Sequence, residues 1–251
     1  MALEKVPYRG NGKCLLAEID GTTGAIGALR DIGNTLSFNL SIETDTVEVV
    51  NMRGEGGNYY AEYPIKAVKF DLEVTDHSAK NKAMGTKGDL SNIASATVTD
   101  EVQKAFLDAP LVFDFIPDLT VDPVVKDNAG TTTYVKNTDY TVTEYGIIPL
   151  ESGSIVDESN IKVSYTKIAQ TKLEALVAGD IEYRVILFLK NKALNDKRIK
   201  FTGYKGKFSP MSGQAYITTD IGTLKFEGQL IADENITGTG LSKFYSELVQ
   251  D

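Results

Sequence analysis

Apolar and polar residues alternate with period two in four separate stretches of this chain, and that periodicity commits it to β-sheet. In residues 35–42 the apolar positions are Leu36, Phe38, Leu40 and Ile42, separated by Ser37, Asn39 and Ser41. Residues 68–75 interleave Val68, Phe70, Leu72 and Val74 with Lys69, Asp71, Glu73 and Thr75. Residues 181–189 put Ile181, Tyr183, Val185, Leu187 and Leu189 on one side, and residues 223–230 oppose Leu224, Phe226 and Leu230 to Lys225, Glu227 and Gln229. Successive strand side chains leave opposite faces of a sheet, so the pattern demands one dry face and one wet face. No nucleophile–base constellation lies near any of these stretches. We therefore expect function through shape and assembly, with no enzymatic activity.

With 251 residues the chain is long enough to bury roughly 70–75% of its unfolded surface, in one large β domain or two smaller ones. No apolar run approaches the roughly 20 residues that span a bilayer, so no membrane insertion is expected. Residues 1–12 carry no apolar signal core, which predicts cytoplasmic synthesis. The single cysteine, Cys14, excludes an internal disulfide and reads as a buried small hydrophobe. The single histidine, His77, leaves no histidine cluster for a transition metal and reads as an exposed turn residue. A net charge of −9 disfavours tight nucleic-acid binding, which needs clustered cations. The basic stretch 190–207 reads as strand and solvated loop. An acidic surplus instead suits a surface past which a duplex slides without sticking.

Along the chain, residues 14–19 and 25–29 read as strands joined by the Asp20-Gly21 turn. Residues 43–63 break the pattern. Residues 51–60 hold three glycines and two tyrosines, and ordering ten such residues costs on the order of 10–20 kcal/mol of backbone entropy. Their own contacts cannot offset that, so the segment reads as an arm awaiting a partner, with Met52, Arg53, Tyr59 and Tyr60 as anchors. Ser78 caps a short helix over 78–84 that Gly85 stops. Residues 109–167 change texture, with Pro110, Pro117, Pro123 and Pro149, short Thr-rich strands (121–126, 131–135, 140–143, 147–150, 161–166) and turns every 8–12 residues. This segment reads as an inserted small β-sandwich-like module between two parts of one domain, 1–108 and 168–251. Gly203 and Gly206 inside the strand 199–208 mark a bulge or bend.

Chemical motifs fail on inspection. Residues 54–57 lack the Gly-Lys-Ser/Thr ending of a phosphate loop, and Asp233-Glu234-Asn235 lacks the ligand ladder of a calcium loop. We expect no catalytic residue, cofactor site or metal site.

Residues 218–245 read TTDIGTLKFEGQLIADENITGTGLSKFY, an acidic residue and glycine, an alternating strand, a Thr/Gly turn, then Gly-Leu-Ser and an aromatic pair. This segment resembles the C-terminal signature of bacteriophage tail tube (major tail) proteins. Residues 179–185, Asp31-Ile32-Gly33-Asn34 before an alternating strand, and the insert's 130–140 and 161–165 are similar to such proteins in the same order. The resemblance implies an all-β, tail-tube-type β-sandwich with one short helix, whose long hairpins 35–75 and 181–208 form an inner barrel on oligomerisation. It implies hexameric rings stacked into a hollow tube that conducts DNA during ejection without binding it specifically. Its partners would be other copies of itself, the tape-measure protein and tail-tip or terminator proteins, and its place the virion. Within that picture the arm 43–63 reaches the next ring, the inserted module decorates the outer wall, and Asp71, Glu73, Glu182 and Glu227 line an acidic lumen. The competing readings are a β-sandwich adhesion or carbohydrate-binding module, a baseplate or terminator ring of the same fold, and, third, a hydrolase on a β scaffold.

Overall fold

The structure, a computed structural model, describes residues 6–250; the first part of the 1–12 stretch lies outside the described residues. The chain is all-β with one α-helix. In order it runs through β1 (Gly10–Ile19), β2 (Arg30–Asp31), β3 (Thr35–Thr44), β4 (Val47–Val50), β5 (Asn58–Glu62) and β6 (Ile65–Val74). Then come α1 (Ala79–Thr86), β7 (Asp89–Ile93), β8 (Ala96–Lys104), β9 (Leu111–Val112), β10 (Val124–Asp127), β11 (Tyr140–Thr143) and β12 (Gly146–Pro149). The remainder is β13 (Asn160–Lys167), β14 (Gln170–Glu174), β15 (Glu182–Asn191), β16 (Lys197–Phe208), β17 (Leu224–Leu230) and β18 (Tyr245–Val249). Two compact units result, one from the described residues up to 90 and from 173 onward, the other from residues 91–172.

The first unit is one antiparallel sheet of eight strands in the order β2-β1-β15-β16-β17-β6-β3, with β18 also on β16. Both long hairpins belong to this sheet, and β17 bridges them by pairing with β16 and β6. The sheet curls onto itself. Phe38 on the edge strand β3 reaches Phe201 on β16, three strands away, at 5.6 Å between ring centroids. Phe70, Phe208, Tyr183 and Phe226 continue the aromatic chain at 5.1 to 6.0 Å. All four period-two stretches contribute apolar residues to this core, where Leu72, Val74, Leu224 and Phe226 are buried, while Leu36, Ile42 and Ile181 stay exposed. The bulge falls between Gly203 and Gly206, where the register against β15 shifts and a Cβ at Gly203 would press on Leu230.

Three local expectations change. Residues 25–29 form only the isolated bridge Ile26–Ile19, because the Asp20 carboxylate collects the Thr22 and Thr23 amides into a wider turn before β2. Gly85 lies inside α1 instead of ending it. A Cβ there would collide with the Met211 methyl and the Phe226 ring, so this glycine lets the helix approach the sheet, and Lys87 at φ 46° is the cap. His77 is half-buried, with Nε2 shielded from solvent and unpartnered, because the loop carrying Gly222 folds against the ring.

The second unit pairs the sheets β10-β13-β8 and β11-β12-β9 around Val125, Ile161, Val163, Ile147, Tyr140 and Leu111. Asp139 is buried at one end, where it accepts the Val135 amide at 2.7 Å and the Ser154 amide at 2.7 Å; these amides hold its carboxyl below the usual range. Residues 131–135 form no strand, only the bridge Thr133–Lys126, since the Asp127 carboxylate draws the Thr131 and Thr132 amides into a turn. The unit extends beyond residues 109–167, because β8 pairs along β13 from Asn160–Lys104 to Lys167–Ala96. Cutting at 109 would strip β8 of its neighbour.

Cys14 is buried, and burial pushes its thiol up to about 12; burial likewise pushes the Tyr183 hydroxyl up to about 12. A folded pKa above the unfolded one means stability that is intact below the unfolded value and lost as pH rises toward the folded one. Urea midpoints are therefore expected to fall between about pH 9 and pH 12, and less steeply in Cys14→Ala. An identical slope in the variant would remove the thiol from this account.

Candidate functional site

Strand register puts the four predicted carboxylates on one face, the wet side of the eight-stranded sheet. Cross-strand rows are Ser37–Glu73–Lys225, Asn39–Asp71–Glu227, and Ser41–Lys69–Gln229–Lys207–Glu182. Each row sits opposite core residues such as Leu72, Phe226 and Leu230, because neighbours along a strand point to opposite faces. Glu73 accepts the Thr223 hydroxyl at 2.7 Å. Glu182 meets Lys205 at 2.8 Å and Lys207 at 3.3 Å, and these lysines hold its carboxyl below the usual range. Asp71 accepts from the Asn39 amide at 2.7 Å and lies directly opposite Glu227. Lysines 69, 205, 207 and 225 are interleaved with the carboxylates, so the face is mixed in charge instead of uniformly acidic. A duplex beside it would meet alternating signs.

The arm is more ordered than its sequence suggests. β4 and β5 form a two-stranded ribbon with Val47 opposite Glu62, Glu48 opposite Ala61 and Val49 opposite Tyr60. Its turn uses Gly54, Gly56 and Gly57 at φ 88°, 74° and 79°, a left-handed region that side chains disfavour. Every residue of both strands is exposed. Of the predicted anchors, Met52 is 90% exposed, Tyr59 71% and Tyr60 50%, and Arg53 sits in the turn with its amide on the Asn51 side chain. Tyr60 donates to Glu62 at 2.8 Å, which raises its hydroxyl pKa. The four anchors therefore lie together on one projecting ribbon, apart from the carboxylate face.

Two features escaped sequence reasoning. Asn81 is fully buried in the polar helix α1 and ties three segments together: its amide donates to the Ile32 and Asp76 carbonyls, and its oxygen accepts from Arg30. At the far end of the sheet, Phe188, Lys200 and Leu248 form one wet-face row, with Lys190 and Arg198 beside it. Phe188 is 46% and Leu248 65% exposed there. The alternation of β15 hints at this, since Phe188 breaks it by being apolar on the wet side.

Among the described residues, no three His, Cys, Asp or Glu side chains converge where a metal ion would sit, and no helix is long and apolar enough to cross a membrane. Fold and surfaces together define an all-β protein with a curled sheet, a projecting apolar ribbon and an inserted second unit. The chain belongs to the family described as "Protein of unknown function UCP028589", whose model matches residues 7–246. No curated protein matches the chain.

Proposed function

We propose that this protein is the subunit of a bacteriophage tail tube, assembling into stacked hexameric rings around a channel for DNA. The observation that carries the reading is an unfinished surface. The ten-residue edge strand β3 is bonded on one side only, and it leads directly into a ribbon whose side chains are all exposed. Soluble β proteins blunt or cover such edges, and closed rings remove them. Leu36 and Ile42, 55% and 53% exposed on the otherwise apolar side of β3, extend the same unfinished surface. Identical copies complete it when each edge meets a neighbour's sheet, and a second contact along the axis stacks the rings. On this reading the mixed-charge face carrying Asp71, Glu73, Glu182 and Glu227 lines the bore. Tape-measure and terminator proteins fill and end it, and the subunit is made in the host cytoplasm before entering the virion.

Negative-stain microscopy of the concentrated protein is expected to reveal rings or tubes; particles of single-subunit size at every concentration would refute the proposal. Glu227→Lys provides a second measurement. It replaces a like-charge pair with Asp71 by an opposite one, which should raise subunit stability by about 0.2–1 kcal/mol. Tubes should still form, and phage carrying the variant should release DNA more slowly. Normal release at normal tube yield would move this face out of the bore.

A further inference from the structure

We propose that the β4–β5 ribbon of one copy docks in the shallow groove on the wet face of the paired strands β15, β16 and β18 of another. The inference rests on the assembly reading above and names the surface that receives the arm.

The two surfaces complement each other in chemistry. The ribbon carries Glu48, Glu55 and Glu62 against the single cation Arg53, and exposes Val47, Val49 and Tyr60 along one face, which Glu62 shares while Glu48 lies on the other; Asp45 at its base is paired with Lys66 at 3.4 Å. The groove is the reverse. Phe188 and Leu248 flank Lys200 in one exposed row, and Lys190 and Arg198 form the next pair beside it. Among the described residues none of these three cations has a carboxylate partner; Arg198 meets only the amide oxygen of Gln250, at 3.3 Å. Other lysines on the same sheet are paired, such as Lys69 on Glu43 at 2.7 Å and Lys205 on Glu182 at 2.8 Å. Lys190, Arg198 and Lys200 thus gather three cations beside exposed apolar side chains. A segment that is acidic and apolar at once satisfies both. A nucleic-acid backbone would satisfy only the charges and leave Phe188 and Leu248 wet. Exposed ion pairs contribute little singly, so the apolar side chains hold the ribbon and the charges set its orientation and speed its arrival.

Cysteine pairing tests the contact directly, because the native Cys14 is buried with its thiol held protonated. Two single variants, Tyr60→Cys and Leu248→Cys, are mixed as full-length chains under mild oxidation. A mixed disulfide dimer is expected, forming about tenfold faster than either variant pairs with itself. Charge reversal supplies the second arm. Lys190→Glu with Lys200→Glu, or Glu48→Lys with Glu62→Lys, should each raise the critical concentration for assembly about tenfold, and mixing the two reversed proteins should restore it. All of these positions are exposed, and far-UV circular dichroism reports any loss of fold. Tubes that form normally from both reversed proteins, without mixed disulfide, would overturn the docking and leave the tube reading standing. Mixed disulfide without tubes would keep the docking and overturn the tube reading. Duplex DNA binding that depends on Lys190 and Lys200, with no mixed disulfide, would assign the groove to nucleic acid and overturn the docking.

Discussion

An Asn81→Leu variant is expected to lose about 2–4 kcal/mol of stability in the first unit, lowering its thermal midpoint by about 8 °C. The side chain is of similar size, so the loss does not come from a cavity. It comes chiefly from the Ile32 carbonyl at 2.9 Å, left without a partner in the core, and to a smaller degree from the half-buried bonds to the Asp76 carbonyl at 2.8 Å and the Arg30 guanidinium. Each unsatisfied buried group costs roughly 1–3 kcal/mol. Ile32 is itself a core residue, so its backbone is held in place by the amide that Leu would delete. The two units need not unfold together, and differential scanning calorimetry should register the loss in one transition and leave the other unmoved. A shift of less than about 2 °C would mean that the loop before β3 is held by its own packing.

Asn81 also marks where sequence reasoning ends. A buried asparagine in a helix without an apolar stripe gives no periodic signal, because its burial follows from what β2 and the loop at Asp76 place around it. The four alternating stretches were legible for the opposite reason. Period two reports a face directly: in β6, β15 and β17 the apolar set turns toward the core, and in β3 Phe38 and Leu40 do so while Leu36 and Ile42 remain exposed. The bulge at Gly203 and Gly206 was legible because a strand interior seldom tolerates glycine without a geometric need. Pairing order was not. Nothing in the sequence of β17 says that it stitches two hairpins into one sheet, since that is a long-range choice of neighbours. The charge balance of the wet face was hidden for the same reason. Glu182 looked free until β16 brought Lys205 and Lys207 beside it. The boundaries of the inserted unit were read from its prolines and turns, but β8 precedes that texture and joins through register alone.

On the proposed assembly, replacing residues 46–63 by Asn-Gly is expected to give a folded, monomeric protein that forms no polymer at concentrations where the wild type would. The fold should tolerate this because the ribbon buries nothing within its own subunit; both of its strands are exposed along their whole length. The hairpin below it is already closed, with the Asp45 amide donating to the Pro64 carbonyl at 2.9 Å and β3 paired to β6 up to Thr44–Ile65. A two-residue Asn-Gly turn has the twist that such a pair needs, so the midpoint of the first unit should move by no more than a few degrees. Assembly should fail because copies of this chain then lose both the apolar and the acidic half of one contact. The smaller deletion of residues 52–58 separates tip from stem. It removes the Met52 and Arg53 turn but keeps Val47 opposite Glu62 and Val49 opposite Tyr60. If the stem fills the groove on β15, β16 and β18, that deletion should retain partial assembly, measured by sedimentation as polymer at several-fold higher concentration. Polymer formed at the wild-type concentration by the full replacement would remove the ribbon from assembly, and the exposed edge of β3 would then have to hold the copies together alone.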